Sequence, residues 1–223
     1  MSNPKTILHE LLGEHQYPES EARYNVTPGQ TSAVVIVGED DSRCLTNMQW
    51  GLVPSWLKKP TTDHRMINAR VETVGEKPAF RESVAHRRCL VPADGFYEWR
   101  KSAGGNQPYL IRLNKGAPFG FAGLWDRWRG SDGHVLKTFT ILTTVANALV
   151  EPIHKRMPVI LDRQQRDAWL LPWAGPEGIR QFCDPFPALA METIPVSTYV
   201  NNPAHDSVKC VEAVPLSGRQ TLF

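Results

Sequence analysis

Between Ala33 and Val200 the chain is a succession of short β-branched and aromatic runs, cut apart by Gly, Pro and Asn turns. Ala33–Val37 and Leu45–Val53 read as strands. So do Cys89–Val91, Tyr97–Trp99, Tyr109–Leu113, Phe119–Leu124, Thr138–Thr144, Val159–Leu161 and Ile194–Val200. Helical patterns are few. Thr6–Gln16 carries Ile7, Leu8, Leu11 and Leu12 at helical spacing, and Ala146–Val150 reads as a short helix. Asp162, three residues before Gln165, is placed to cap a helix holding Ala168, Trp169 and Leu170, and Ile179–Phe182 reads as one further helical turn. Tyr17–Gln30 and Pro54–Pro60 are loops, and Ser102–Asn106 fits a hairpin. Many short strands with few helices predict an α+β fold, built on mainly antiparallel, curved or barrel-like sheets. No repeat or break in composition divides the chain, so residues 1–223 are expected to form one domain.

Bulk properties exclude more than they assert. At 41% hydrophobic a chain of 223 residues can bury a core, and a net charge of +2 permits nucleic acid as a partner without arguing for it. Cys44, Cys89, Cys183 and Cys210 lie far apart, with no C-x-x-C pair, so neither a metal site nor a cofactor is expected. No signal peptide is visible, and no stretch approaches the roughly 20 apolar residues of a membrane span. The expected setting is a reducing cytoplasm, with no membrane partner and a monomeric chain.

Five stretches carry chemistry. RYNVTPGQ (23–30) is a polar loop with a rigid Pro-Gly turn, and WGLVPSW (50–56) sets Trp50 and Trp56 around a Pro turn. INARVET (67–73) holds Asn68, Arg70 and Glu72 at alternating positions, so an extended chain shows them on one face. VPADGFYEW (91–99) places Glu98 among aromatics, and EPIHKRMPVIL (151–161) sets His154 and Arg156 before an apolar strand. Each has an ordinary alternative: a strand-surface acid, a capping histidine, a loop brace or a core tryptophan. No single stretch decides between these.

In this order, together with TTVAN (143–147), the stretches resemble the SRAP family (SOS-response-associated peptidase), whose members process abasic sites in single-stranded DNA. The resemblance implies a compact mixed domain with curved antiparallel sheets and a basic groove for single-stranded DNA. It also implies capture of the ring-opened aldehyde by a cysteine at position 2, whose amine forms a Schiff base and whose thiol closes a thiazolidine. By the same resemblance, Asn68 orients the N-terminal residue or the sugar, Glu98 shuttles protons, and His154 is a general acid/base that also assists reversal. Arg70 and Arg156 match phosphate contacts, and Trp56, with Trp50 in the same motif, matches a wedge against stacked bases. A carboxylate packed among Phe96, Tyr97 and Trp99 would have its pKa raised by desolvation. Lyase-like release, N-terminal self-processing as the peptidase activity, and association with the bacterial nucleoid on damage are further implications.

The start departs from the family's Met-Cys-Gly-Arg: this chain reads Met-Ser-Asn-Pro-Lys. The expectation is that the nucleophile segment lies upstream of Met1; the alternative is that the nucleophile is lost. Ser2 in its place predicts weak or absent stable crosslinking with DNA binding largely retained. Two further readings stand beside this one: a non-catalytic single-stranded-DNA shield, and a small-molecule hydrolase using Glu98 and His154.

Overall fold

The structure is a computed structural model that describes residues 2–12, 21–38, 40–58, 65–102, 105–171 and 176–215. The end of the expected first helix (13–16), the start of the loop after it (17–20), residues 59–60 of the Trp56 loop and residues 103–104 of the hairpin lie outside them. Among the described residues no helix is long and apolar enough to cross a membrane.

A closed barrel forms the centre. Its strands are β1 (Thr31–Val37), β2 (Arg43–Trp50), β4 (Arg88–Ala93), β7 (Phe119–Arg129) and β8 (Val135–Val145), in the order β7-β4-β1-β2-β8, with β8 pairing back onto β7. The neighbours are antiparallel except β2 and β8. β3 (Asn68–Arg70) adds a second parallel partner to β8. Every residue of β4 is buried, and so are Thr138–Thr144 of β8. Burial on both faces explains why these runs lack polar/apolar alternation.

Two short strands finish this sheet. β9 (Arg156–Pro158) pairs with β8, and β10 (Ile160–Leu161) pairs with β7. Val159 is the crossing point: its N–H donates to the Leu142 carbonyl, and its own carbonyl accepts from the Ala122 N–H. The expected Val159–Leu161 strand is therefore two strands changing partner. A second sheet, β11-β6-β5, combines Met191–Pro195 (β11), Gly105–Leu113 (β6) and Phe96–Ser102 (β5), with β5 and β6 forming the expected hairpin. It packs on the barrel through Ile111, Phe96, Phe119 and Phe121, with the Phe96 and Phe121 rings edge-on at 6.0 Å.

The opposite side of the barrel is covered by α1 (Pro4–Leu12), α2 (Pro78–His86) and α3 (Arg163–Leu170). Ile7, Leu8 and Leu11 bury the apolar stripe of α1. α3 begins with the expected capping box: Asp162 accepts from the Gln165 N–H while the Gln165 side chain accepts from the Asp162 N–H. The expected Ala146–Val150 helix is instead a turn, because Asn147 Oδ1 accepts from the Leu149 and Val150 N–H groups and offers the backbone a local alternative to helix. The late strand ends at Pro195. Beyond it, Ser197 Oγ accepts from the Tyr199 N–H and starts a 3-10 turn over Thr198–Asn201.

Candidate functional site

A cavity of about 1020 Å³ is lined by residues of both sheets and by part of the loop 21–28. Asn68, Glu98 and His154 all line it, although they arise from β3, β5 and the turn before β9.

β3 alternates exposed, buried, exposed, so Asn68 and Arg70 share a face while Ala69 enters the core. Parallel pairing with Ile141–Thr143 holds the strand in place. Glu72 lies past the end of β3, and its carboxylate takes the Arg156 guanidinium in a two-point bond at 2.6 and 2.8 Å. Arg156 also donates to the Thr143 carbonyl at 2.6 Å.

Glu98 occupies the middle of β5, opposite Tyr109 of β6. Strand alternation sends Tyr97 and Trp99 to the other face, where their rings lie 6.5 Å apart. There the Tyr97 hydroxyl donates to the Tyr24 carbonyl and Trp99 Nε1 donates to Asn201 Oδ1, each at 2.8 Å. Of the three aromatics expected to surround the acid, only Phe96 shares its face. Burial in the cavity nevertheless pushes the Glu98 carboxyl above its ordinary value, against the opposing pull of the His154 charge and the Trp99 N–H.

His154 closes the turn that Asn147 starts, its N–H donating to the Val150 carbonyl at 3.0 Å. All its recorded ring contacts fall on Nδ1: the Arg156 carbonyl at 2.9 Å, the Arg156 N–H at 3.2 Å and Glu98 Oε1 at 3.5 Å. The carbonyl and the carboxylate favour a proton on Nδ1 and the longer Arg156 N–H contact opposes it; with the proton on Nδ1 the Nε2 lone pair is left for chemistry in the neutral ring.

The cations at the cavity are Arg23, Arg70, Arg112 and Arg156. Arg23 pairs with Asp206, Arg112 with Glu192 and Arg156 with Glu72, whereas among the described residues Arg70 has no carboxylate within 4 Å, although its charge reaches Glu72. Trp50 forms a wall, stacked on Phe139 at 6.4 Å with Nε1 donating to the Ile67 carbonyl. Trp56 is absent from the described lining and stands 64% exposed. Its loop is pinned from below, by the Ser55 N–H on Asp126 Oδ2 at 2.8 Å and by Trp128 Nε1 on the Leu57 carbonyl at 2.6 Å.

Among the cavity residues that sequence reasoning did not single out are Asp94 and Gly95. Asp94 ends the β4–β5 corner and accepts from the Ser2 N–H at 2.7 Å, as well as from the Ser2 hydroxyl. At Gly95 the β6 strand comes close: an added Cβ would lie 2.7 Å from Leu110 Cδ1 and 3.3 Å from the Ile111 carbonyl oxygen. The Asp-Gly pair marked the turn, but nothing local marked its partner 92 residues away. None of the four cysteines is among the described lining residues, and no group of three or more metal-ligating side chains occurs among the described residues.

The family model described as SOS response associated peptidase (SRAP) matches residues 1–203. The chain is 38% identical over 208 residues to the abasic site processing protein YoqW of Bacillus subtilis, covering 92% of this chain and 91% of that one. It is 32% identical over 237 residues to the abasic site processing protein HMCES of Gallus gallus, covering 93% and 70%. Among solved structures, a protein from Bacteroides thetaiotaomicron superposes with a TM-score of 0.76 at 29% identity, over 84% of this chain and 82% of that one. One from Bordetella bronchiseptica gives 0.74 at 28%, over 88% and 97%.

Proposed function

Because the chain belongs to the SOS response associated peptidase (SRAP) family, we propose that it binds single-stranded DNA carrying abasic sites and moves protons on the ring-opened sugar within its cavity. One observation carries the reading: an amide, an acid with a raised pKa and an imidazole whose ring contacts among the described residues all fall on Nδ1 line the same space. Asn68 donates through Nδ2 to the sugar oxygen, or accepts an N–H of the attacking amine through Oδ1 and leaves the amine lone pair free. Glu98, held protonated to higher pH than an ordinary carboxyl, supplies the proton that opens the ring. His154 takes and returns a proton through Nε2.

If Ser2 is exposed as the N-terminal residue by loss of Met1, it supplies the amine. An α-amine has a pKa of about 7.7–8.0, so part of it is unprotonated near neutral pH. Its nitrogen attacks the aldehyde carbon, and loss of water with a proton from the acid gives the imine. A serine hydroxyl closes the following ring less favourably than a thiol does, so the adduct stays reversible. Arg70 is the first phosphate anchor. Trp56, on a pinned loop, offers a stacking face to a base, worth roughly 1–3 kcal/mol. Peptidase activity is confined to the chain's own N-terminus.

The test is a single-stranded oligonucleotide with one abasic site, incubated with and without borohydride and run on a denaturing gel. A borohydride-dependent adduct with little heat-stable product is expected. Absence of both binding and trapped adduct overturns the reading. A heat-stable band as strong as that of a cysteine-bearing relative overturns the account of Ser2. No cysteine is among the described lining residues, and a second reading is a shield without chemistry. In that case Glu98→Ala and His154→Ala leave every readout except affinity unchanged.

A further inference from the structure

Arg156 joins two parts of the site that are far apart in sequence. Glu72 holds its side chain at two points and the Thr143 carbonyl at a third, all through the two terminal nitrogens, while Nε is buried with no hydrogen-bond partner among the described residues. Its main chain holds His154, whose Nδ1 sits 2.9 Å from the Arg156 carbonyl and 3.2 Å from the Arg156 N–H. Glu72 itself follows β3, the strand that carries Asn68 and Arg70. A two-point carboxylate–guanidinium bond fixes orientation as well as distance.

We propose that Glu72 is a positioning residue that, by gripping Arg156, ties the strand bearing Asn68 to the turn bearing His154 and so sets where His154 stands and which of its ring nitrogens carries the proton. For activity this rests on the function proposed above; the ring state of His154 can be read without it. The same grip keeps Arg156 from acting as a freely available phosphate ligand. A phosphate that reached it would have to compete with an anion already in place, so phosphate binding falls first on Arg70. Glu72 is 40% exposed in its side chain and lies outside the described cavity lining, which is why its effect must pass through Arg156.

The experiment uses the full chain with Glu72→Gln and Glu72→Asp, and compares three readouts. First, the ¹⁵N shifts of the His154 ring are followed by NMR without DNA. Glu72→Gln is expected to move them from a predominantly Nδ1-protonated pattern toward mixed tautomers, and Glu72→Asp to restore most of the original pattern. Second, borohydride trapping of abasic oligonucleotide is expected to slow about tenfold in Glu72→Gln, since a small misplacement of a catalytic group has effects of this order. Third, affinity for intact single-stranded DNA is expected to stay the same or tighten. Unchanged His154 shifts in a folded Glu72→Gln protein overturn the proposal. So does a loss of trapping matched by an equal loss of affinity. If the wild type traps nothing while the His154 shifts still move in Glu72→Gln, the functional reading fails and the positioning role of Glu72 stands.

Discussion

Glu98 lies where burial opposes ionisation more strongly than the His154 charge and the Trp99 N–H favour it. Its folded-state pKa is above the unfolded one, so the folded form binds its proton more tightly. At neutral pH and above, the ionised carboxylate therefore weakens the fold, and that penalty disappears as pH falls through the raised value. Glu98→Gln removes the charge and keeps the size. The expected result is a loss of imine trapping together with a melting temperature at pH 8 about 1–3 °C higher than wild type, the scale of a sub-1 kcal/mol gain in a chain of this length. Melting curves at pH 8 and pH 5 check the sign: the advantage of the variant should shrink at the lower pH. At this scale the sequence was partly legible. A run of aromatics around one acid singled out Glu98, and alternation at 68 and 70 placed Asn68 and Arg70 on one face. The source of the desolvation was not legible. Period-two alternation turns Tyr97 and Trp99 away from Glu98, leaving Phe96 as the one neighbouring aromatic on its face beside cavity walls from other strands.

At the scale of elements, one arginine holds two helix ends. Arg88, at the start of β4, donates to the Val84 and Ala85 carbonyls at the end of α2, and to the Trp169 and Leu171 carbonyls at the end of α3. Four carbonyls that a helix C-terminus leaves without partners are thereby satisfied in the interior. Burial lowers the Arg88 guanidinium to about 10, which leaves it charged across the physiological range. Arg88→Met should cost about 3 kcal/mol, because the carbonyls remain buried and lose their donor. A fall in melting temperature of about 6–12 °C measures it. A change within 1 °C would show that water replaces the guanidinium. The helices it joins differed in legibility. α3 announces itself through Asp162 and Gln165, a reciprocal cap written in four residues. α2 went unrecognised, although Pro78 at its first turn and the buried pair Phe80 and Val84 were available signals. Its low apolar content hid them, because Arg81, Glu82 and His86 dilute the stripe. Ala146–Val150 misled in the opposite sense, since composition favoured helix while the Asn147 side chain captured the turn.

Across the whole molecule, the cavity depends on contacts that no local pattern encodes. Asn25 Nδ2 donates to the carbonyls of Val200, Asn202 and His205, and Asp206 accepts from the Tyr24 and Asn25 N–H groups and from Arg23. These bonds fasten the 200–206 segment to the loop 23–25, across about 180 residues of sequence. The chain order of motifs was readable, and so was a curved sheet, but the bracing of a cavity-lining loop by the late segment was not. Burial alone would raise the Asp206 carboxyl; the Arg23 hydrogen bond and the two backbone N–H groups outweigh it and hold the value below the ordinary range. A depressed carboxyl stabilises the fold above its unfolded value, about 3.9, and that contribution is lost as pH falls through the folded value. Asp206→Asn removes the charge and leaves one acceptor oxygen. At pH 7 the variant should melt below wild type. The gap should narrow as the pH drops below about 4, because protonated wild type then resembles the variant. A gap that stays constant from pH 7 to pH 3 would mean that hydrogen-bond geometry, not charge, closes this wall. The substitution also removes the negative charge set against Arg23, a cavity cation that keeps its hydrogen bond to Gln30 Oε1. Affinity for intact single-stranded DNA should therefore rise at low salt and show a steeper salt dependence, by up to about 0.7 in the log–log slope for one additional phosphate contact. Unchanged salt dependence with a lowered melting temperature would confine Asp206 to holding the wall.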